Sequence, residues 1–204
     1  LGLGDSLERK GTGNEAWEVA ALPPSALVTS IACGGHVSMA ISQRGEVWTW
    51  GRNEESGVLG QGGLPVACIS TPAELATLRR KVRVVQAATS GWVSYCVSHL
   101  GKVYSWGGGL SGGHGHGHQQ DEPWPKSVRV LEASTICQVA AGALHSLALD
   151  ERGEVFTWGR VGGAFGAEAQ MQLTPKLVDA LLGIRIVQVT PGSYLWGGAG
   201  VQGT

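Results

Sequence analysis

A tryptophan-glycine step recurs along the chain and constrains its fold more than any other feature. It occurs three times, at intervals of 56 and 52 residues: Trp50-Gly51, Trp106-Gly107 and Trp158-Gly159. Each step closes a short segment of alternating residues, and the three segments align without gaps as 45–51, 101–107 and 153–159. A period above about fifty residues predicts a protein built from structural repeats.

The third copy of the repeat predicts a β-hairpin. Two apolar segments, 136–149 and 154–159, are separated by a polar turn that ends in Gly153. Such a turn between alternating segments is typical of a hairpin with a loop of about three to five residues. Successive side chains of a strand point to opposite faces, so Phe156 and Trp158 are predicted to share one face.

The other copies carry aromatic residues at the same two positions, so each hairpin presents an aromatic stripe. These stripes must be covered, because a large aromatic side chain buries roughly 150–250 Å². Stacked four-stranded antiparallel sheets around an axis, the blades of a β-propeller, provide that cover. We predict one all-β partial propeller over 1–204, with repeats at about 28–81, 82–134 and 135–183 and partial units at 1–27 and 184–204.

Composition agrees with this interpretation. The chain has 43% hydrophobic and 15% charged residues, and its 33 glycines are dispersed between the short strands. A formal net charge of −1 provides no overall positive field for nucleic acid or an anionic membrane. The basic residues cluster once, in a segment that we expect to be solvated or at most a site of interaction: Arg79, Arg80, Lys81 and Arg83. No apolar segment approaches the ~18 residues that a membrane span requires.

The cysteines indicate a reducing compartment. None of the four has Cys-x-x-Cys spacing: Cys33, Cys68, Cys96 and Cys137. We interpret them as reduced core residues of an intracellular protein, either cytoplasmic or nuclear. The first residue is Leu1 rather than methionine, so organellar targeting by a preceding peptide stays open.

The third copy resembles the repeats of the regulator of chromosome condensation family, which form a seven-bladed propeller. The matching residues are Val139-Ala140, Gly142, His145-Ser146, Ala148-Leu149, Gly153, Val155-Phe156 and Trp158-Gly159. Gly34 is assigned the role of Gly142 in the first copy. The segments 1–5 and 115–117 resemble the Leu-Gly-x-Gly loop that follows Trp-Gly in that family. The resemblance implies that the chain holds about half of a seven-bladed ring.

A fourth unit begins at Ile184 and is shortened. Trp196 follows Gly192 after only 4 residues, whereas 16 residues separate Gly142 from Trp158. Half a ring leaves open blade faces and unpaired strand edges, which favour aggregation in water. We therefore expect the chain to be part of a longer protein; the alternative is a truncated form completed by a partner or by a second copy.

Three motifs suggest chemistry, and each has a simpler structural interpretation. His114, His116 and His118 alternate and could share one face as metal ligands, but they lie in the variable glycine-rich loop of the repeat. Neighbouring His145 and Ser146 point to opposite faces of a strand and cannot act as a catalytic dyad. The loop 107–113 lacks the Gly-Lys-Ser/Thr sequence of a phosphate site, so we interpret it as a flexible turn. We expect no catalytic residue, cofactor or metal.

The rims of a propeller gather variable loops on a rigid scaffold, which favours a protein-binding module. A non-catalytic scaffold within a larger regulatory protein or assembly is the first functional hypothesis. The resemblance implies an alternative, a guanine-nucleotide exchange factor for a small GTPase, because the family's namesake acts on Ran. It also implies a third hypothesis, association with chromatin or RNA, which the net charge does not support.

Overall fold

The computed structural model describes residues 19, 22–53, 56–62, 67–161, 170–192 and 200–203. In these ranges the chain forms two short 3-10 helices, Arg129–Leu131 and Asp179–Leu181, and a succession of strands. The strands are β1 (Val28–Gly34), β2 (Val37–Ser42), β3 (Val47–Arg52), β4 (Cys68–Glu74), β5 (Val84–Thr89), β6 (Val93–Ser98), β7 (Val103–Gly107), β8 (Glu122–Ser127), β9 (Ile136–Ala141), β10 (His145–Asp150), β11 (Val155–Val161), β12 (Gln170–Leu177), β13 (Ile186–Thr190) and β14 (Gly200–Gly203).

The strands form three antiparallel sheets of four, each in chain order: β1 to β4, β5 to β8 and β9 to β12. We call these sheets blade 1, blade 2 and blade 3. A further antiparallel pair, β13 and β14, follows them. The prediction of an all-β chain built from four-stranded propeller blades is therefore confirmed.

The first strand of each sheet packs against the first strand of the next, in the order β1, β5, β9 and β13. We call these four the inner strands, since they lie nearest the axis about which the blades follow one another. The cores lie between the blades rather than within one of them. Trp106 of blade 2 is buried with Leu59 and Leu75 of blade 1, and Trp158 of blade 3 is buried with Tyr95 and Val97 of blade 2.

The glycine of each Trp-Gly step is required by its backbone. All three glycines have positive φ, between 92° and 119°. In blade 2, a Cβ on Gly107 would overlap the carbonyl oxygen of Trp92, and the N–H of Gly108 donates to that oxygen over 2.8 Å. The same close approach recurs at the carbonyls of His36 and Leu144. Only glycine combines this φ with the absence of a side chain.

The cysteines correct one expectation. Cys96 is buried, and burial raises the pKa of its thiol, but Cys33, Cys68 and Cys137 are exposed. The prediction that all four are core residues was wrong. All three lie on edge strands of their sheets, Cys33 on β1, Cys68 on β4 and Cys137 on β9, whereas Cys96 lies on the central strand β6.

Within the described ranges, no helix has the length and apolar character needed to cross a membrane.

Two features of the predicted repeats cannot be compared with the structure. The loop at 1–5 and the step at Trp196-Gly197 both lie outside them.

Candidate functional site

A cleft of about 530 Å³ opens where the inner strands end, and we call it the axis cleft. Its walls are the turns that join the first and second strands of the three blades, 33–36, 89–92 and 141–143, together with Pro191 and Gly192. The repeat brings these turns together, because each occupies the same position in its blade and successive inner strands pack side by side.

Close backbone contact fixes the turns that form the cleft. A Cβ on Gly34 would overlap the carbonyl of Thr89, and a Cβ on Gly91 would lie 2.9 Å from the carbonyl oxygen of Gly34. The turns of blades 1 and 2 therefore touch through their backbones. Ser90 replaces glycine at this position in blade 2, and its hydroxyl accepts hydrogen bonds from the N–H groups of Trp92 and Val93, each over 3.3 Å.

One position of the turn varies in its side chain while its carbonyl keeps the same contact. It is occupied by His36 in blade 1, Trp92 in blade 2 and Leu144 in blade 3, and in each blade its carbonyl packs on the glycine of the Trp-Gly step. Trp92 is 55% exposed and His36 is also exposed, whereas Leu144 is half-buried. The repeat therefore presents different side chains at a position whose carbonyl makes the same contact in each blade.

The side chains that line the axis cleft are mostly small and uncharged. Among its described lining residues there is no carboxylate, lysine or arginine. His36 and Cys33 contribute an imidazole and a thiol to its wall in blade 1. The exposed indole of Trp92 adds apolar area with a polar group at its edge, which is typical of protein-binding surfaces.

The basic cluster predicted from the sequence lies at the other end of the strands. Arg79 to Arg83 precede β5, where the N–H of Val84 donates to the carbonyl of Gly45 in the β2–β3 turn over 3.2 Å. Arg79, Arg80, Lys81 and Arg83 are all exposed, and Arg79 pairs with Glu74 over 3.2 Å. An exposed pair of this kind contributes little to stability. The structure does not bring this cluster to the axis cleft.

The three alternating histidines lie together, in the loop between β7 and β8 rather than on a strand. Their ring centroids are 4.9 to 6.0 Å apart. Nε2 of His114 contacts the carbonyl oxygen of Gln120 at 2.9 Å, and Nε2 of His116 contacts the hydroxyl of Ser105 at 3.0 Å. His118 lies 3.2 Å from a carboxylate oxygen of Glu122. These contacts direct the rings toward protein groups rather than toward a shared centre.

Burial in the histidine loop favours the neutral forms of His114 and His116. Burial lowers the pKa of His114, and it lowers the pKa of His116 to about 4. In the part of the chain that the structure describes, no group of three or more histidine, cysteine or acidic side chains is arranged to hold a metal ion. The same loop contacts blade 3 through Gly113 and Gly115, which lie against Trp158.

Sequence reasoning missed the main role of the glycine-rich loops. Nε1 of Trp106 donates to the carbonyl of Val58 over 2.8 Å, and Nε1 of Trp158 donates to the carbonyl of Gly113 over 2.5 Å. Each loop therefore fastens its blade to the tryptophan of the next. The interpretation of 107–113 as a flexible turn was wrong, since Gly113 is buried and bonded. The recurring Gly-x-Gly pattern, Gly60 with Gly62 and Gly115 with Gly117, all at positive φ, was the available signal.

The neighbouring His145 and Ser146 do not form a dyad. The hydroxyl of Ser146 contacts that of Tyr95 at 2.7 Å and donates to the carbonyl of Gly113 over 3.3 Å. His145 packs over Gly142, where an added Cβ would lie 2.8 Å from its ring. Both side chains thus hold the turn and the loop in place.

Comparison with known proteins agrees with this geometry. Residues 44–97 and 101–149 match the regulator of chromosome condensation (RCC1) repeat, and a second description of the same repeat matches residues 28–56 and 136–165. The chain belongs to the RCC1 repeat family. Its matched segments include the Trp-Gly steps and the turns that form the axis cleft.

Similar proteins are longer than this RCC1-repeat chain. The human E3 ubiquitin-protein ligase HERC2 is 33% identical over 164 residues, which cover 78% of this chain and 3% of that protein. The crystal structure of human WBSCR16 superposes with a TM-score of 0.75 at 23% identity, covering 86% of this chain and 44% of the other.

A second solved structure, Prp20p from Saccharomyces cerevisiae, was described together with its binding to Gsp1p and histones. It superposes with a TM-score of 0.70 at 23% identity, covering 85% of this chain and 42% of that one. The RCC1-repeat chain thus spans less than half the length of each of these proteins. At this identity the two structures establish the likeness of fold alone.

Proposed function

We propose that the chain is a non-catalytic scaffold that binds a partner protein at the axis cleft, with Trp92 as the anchoring side chain. The observation that carries this proposal is an indole exposed over half its surface on a turn whose backbone is held from both sides. Tryptophan is among the residues that contribute most to protein interfaces when a partner covers them.

The rigidity of the turn strengthens the proposal. Ser90 bonds two N–H groups of the turn, and the carbonyl of Trp92 accepts a hydrogen bond from Gly108 over 2.8 Å. A side chain that is already oriented loses little conformational freedom on binding, so more of the contact energy remains as affinity. The absence of charged groups among the described lining residues favours a partner surface that is apolar or neutral.

The experiment is affinity purification of the full chain, wild type and variants, followed by identification and titration of the purified partner. Trp92→Ala should weaken binding at least about tenfold, as expected for loss of a central aromatic anchor. Leu100→Ala is the matched control, because Leu100 is an apolar residue 65% exposed in the β6–β7 turn at the other end of the strands. A partner that binds both variants equally would disprove the role of the axis cleft.

A second candidate is guanine-nucleotide exchange on a small GTPase. The likeness of fold to Prp20p, which was described as binding Gsp1p, supports it. Exchange requires only that the scaffold bind the nucleotide-free GTPase more tightly than the loaded one. The full chain should then accelerate release of labelled GDP from one member of a panel of purified GTPases. Unchanged release across the panel would remove this candidate and leave the scaffold proposal in place.

A further inference from the structure

A positively charged surface lies over the junction of blades 1 and 2, at the end of the strands away from the axis cleft. Arg83 joins its parts: a Cβ on Gly45 would lie 2.6 Å from its Cγ, and its carbonyl accepts the N–H of His99 over 2.9 Å. Arg44 precedes that glycine in the β2–β3 turn. We call this the basic surface and define it by its exposed cationic side chains: Arg44, Arg79, Arg80, Lys81 and Arg83.

Most cations of the basic surface have no acidic partner. Arg79 pairs with Glu74 over 3.2 Å. The other four form no ion pair with any residue that the structure describes. Neighbouring cations repel one another, and an anionic group placed among them would relieve that repulsion. The described part of the chain therefore leaves this positive charge without a balancing charge.

The fold does not require these cations. The connection to the next blade reads Glu-Ala-Ser-Thr at 132–135 after blade 2, and Leu-Gly-Ile-Arg at 182–185 after blade 3. All three connections form the same turn, in which an N–H donates to the carbonyl of a leucine three residues earlier over 3.1 Å: Lys81 to Leu78, Ser134 to Leu131 and Ile184 to Leu181. The charge is thus a property of the first connection and not of the repeat.

Arg80 has a backbone conformation that arginine seldom adopts. Its φ is 58°, and within the described ranges it is the one residue other than glycine with a positive φ. Gly183 occupies the corresponding position after blade 3, with a φ of 85°. A glycine would fit the first connection with less strain, because it has no Cβ. The arginine therefore lowers stability at this position while it adds charge to the basic surface.

The borders of the basic surface indicate the kind of partner. Glu132 stands in blade 2 where blade 1 has Arg79, and Glu151 and Glu154 lie in the β10–β11 turn of blade 3. A long polyanion such as a nucleic acid would extend past the basic surface toward these carboxylates, and its affinity depends on many phosphate contacts. A short acidic segment of a protein fits within the borders. Its carboxylates can accept paired N–H groups from arginine.

We propose that the basic surface binds an acidic segment of a partner protein through Arg80, Lys81 and Arg83, with Arg44 at the edge of the contact. Carboxylates among these cations replace mutual repulsion with charge-assisted hydrogen bonds. The surface is separate from the axis cleft, so this binding does not depend on Trp92. Because the cations are exposed, the affinity should decrease as the salt concentration increases.

The first test is a fluorescence-anisotropy titration of the purified full chain at an ionic strength of about 0.15 M. The labelled probes are a peptide with a run of glutamates, the same peptide with glutamines in their place, and an oligothymidine of equal negative charge. The glutamate peptide should bind saturably and the glutamine peptide should not. Failure of the glutamate peptide to bind would overturn the proposal. Binding of the oligothymidine at least as tight would also overturn it and assign the surface to nucleic acid.

Variants that copy the other blades remove the charge and keep the turn. The triple variant Arg80→Gly, Lys81→Ser, Arg83→Thr introduces residues that blades 2 and 3 already have at these positions. It should weaken binding of the glutamate peptide at least about tenfold. Arg44→Ser should also weaken binding, whereas Arg152→Ser, at the same position of the blade 3 turn, is the matched control. Equal affinity of the triple variant and the wild type would overturn the proposal.

Arg80→Gly alone distinguishes a binding role from a structural one. The variant should weaken binding of the glutamate peptide, because one cation is lost. It should also raise the midpoint of urea denaturation, because glycine adopts positive φ without strain. An arginine that served only the fold would show the opposite change in stability and no change in affinity, and that result would remove Arg80 from the proposed contact.

Discussion

The seam between blades 1 and 2 differs from the seam between blades 2 and 3, although both join a glycine-rich loop to a tryptophan. In the seam between blades 2 and 3, the loop carries His114, and the side-chain amide of Gln86 on β5 donates to the carbonyl of Val139 and accepts from its N–H, a contact we call the glutamine clamp. In the seam between blades 1 and 2, Leu59 takes the place of His114, and Ser30 of β1 occupies the position of Gln86 without such an amide. The comparison teaches that the loop-to-tryptophan contact defines the repeat, whereas the polar contacts beside it vary from one seam to the next.

The largest effect should follow from removing the shared contact. Trp158→Ala and Trp106→Ala should each lower the free energy of unfolding by about 3–5 kcal/mol, because each leaves a large cavity and removes a hydrogen bond to a loop carbonyl. Trp92→Ala, at an exposed tryptophan, should change it by no more than about 0.5 kcal/mol. Urea denaturation followed by circular dichroism measures all three. If Trp158→Ala lowered the free energy of unfolding no more than Trp92→Ala does, Trp158 would not stabilise the contact between blades 2 and 3.

An intermediate effect should follow from removing the clamp, which distinguishes the two seams. Gln86→Ala should lower the free energy of unfolding by about 1–3 kcal/mol, because it leaves the buried N–H and carbonyl of Val139 unbonded. The converse change, Ser30→Gln, should stabilise the first seam by supplying the missing amide. The same denaturation series tests both, with Gln120→Ala as the neutral control. An unchanged free energy of unfolding for Gln86→Ala would show that water satisfies the backbone of Val139 as well as Gln86 does.

The smallest effect should be a dependence of stability on pH that belongs to the histidine loop. Burial lowers the pKa of His114, and that of His116 to about 4, below the ordinary value of about 6.5. Between these values the unfolded chain binds more protons than the folded chain. The free energy of unfolding should therefore fall as the pH decreases below about 6.5, and His116 should cause no further loss once the pH is below about 4.

The chain supplies its own control for the pH dependence. Leu59 and Gln61 occupy in the first loop the positions of His114 and His116 in the second, so the double variant His114→Leu, His116→Gln copies the first loop. Glu122 and Lys126, which face the histidines, remain in both proteins. Denaturation midpoints at neutral pH and near pH 5 should differ less for the double variant than for the wild type. Equal differences in midpoint for the two proteins would show that groups outside the histidine loop cause the pH dependence.

The sequence predicted the features that depend on local periodicity. The alternation of side chains along the strands predicted the buried stripe that contains Trp106 and Trp158. The spacing of the Trp-Gly steps predicted the blades. It did not predict the contacts between blades, such as Gln86 with Val139, because these join residues about fifty positions apart whose proximity depends on how the blades are arranged. Cys33 was misjudged for a related reason: alternation indicates a face, but only the arrangement of neighbouring blades decides whether that face is covered.

The close approach between the Trp-Gly glycine and the turn carbonyl has a consequence for engineering. The contact holds the backbone at residues 36, 92 and 144 and leaves their side chains outside it, so the side chain can change without altering the contact. His36, Trp92 and Leu144 are three side chains that the repeat already accepts at this position. A library randomised at these three residues should sample many binding specificities on a single unchanged framework.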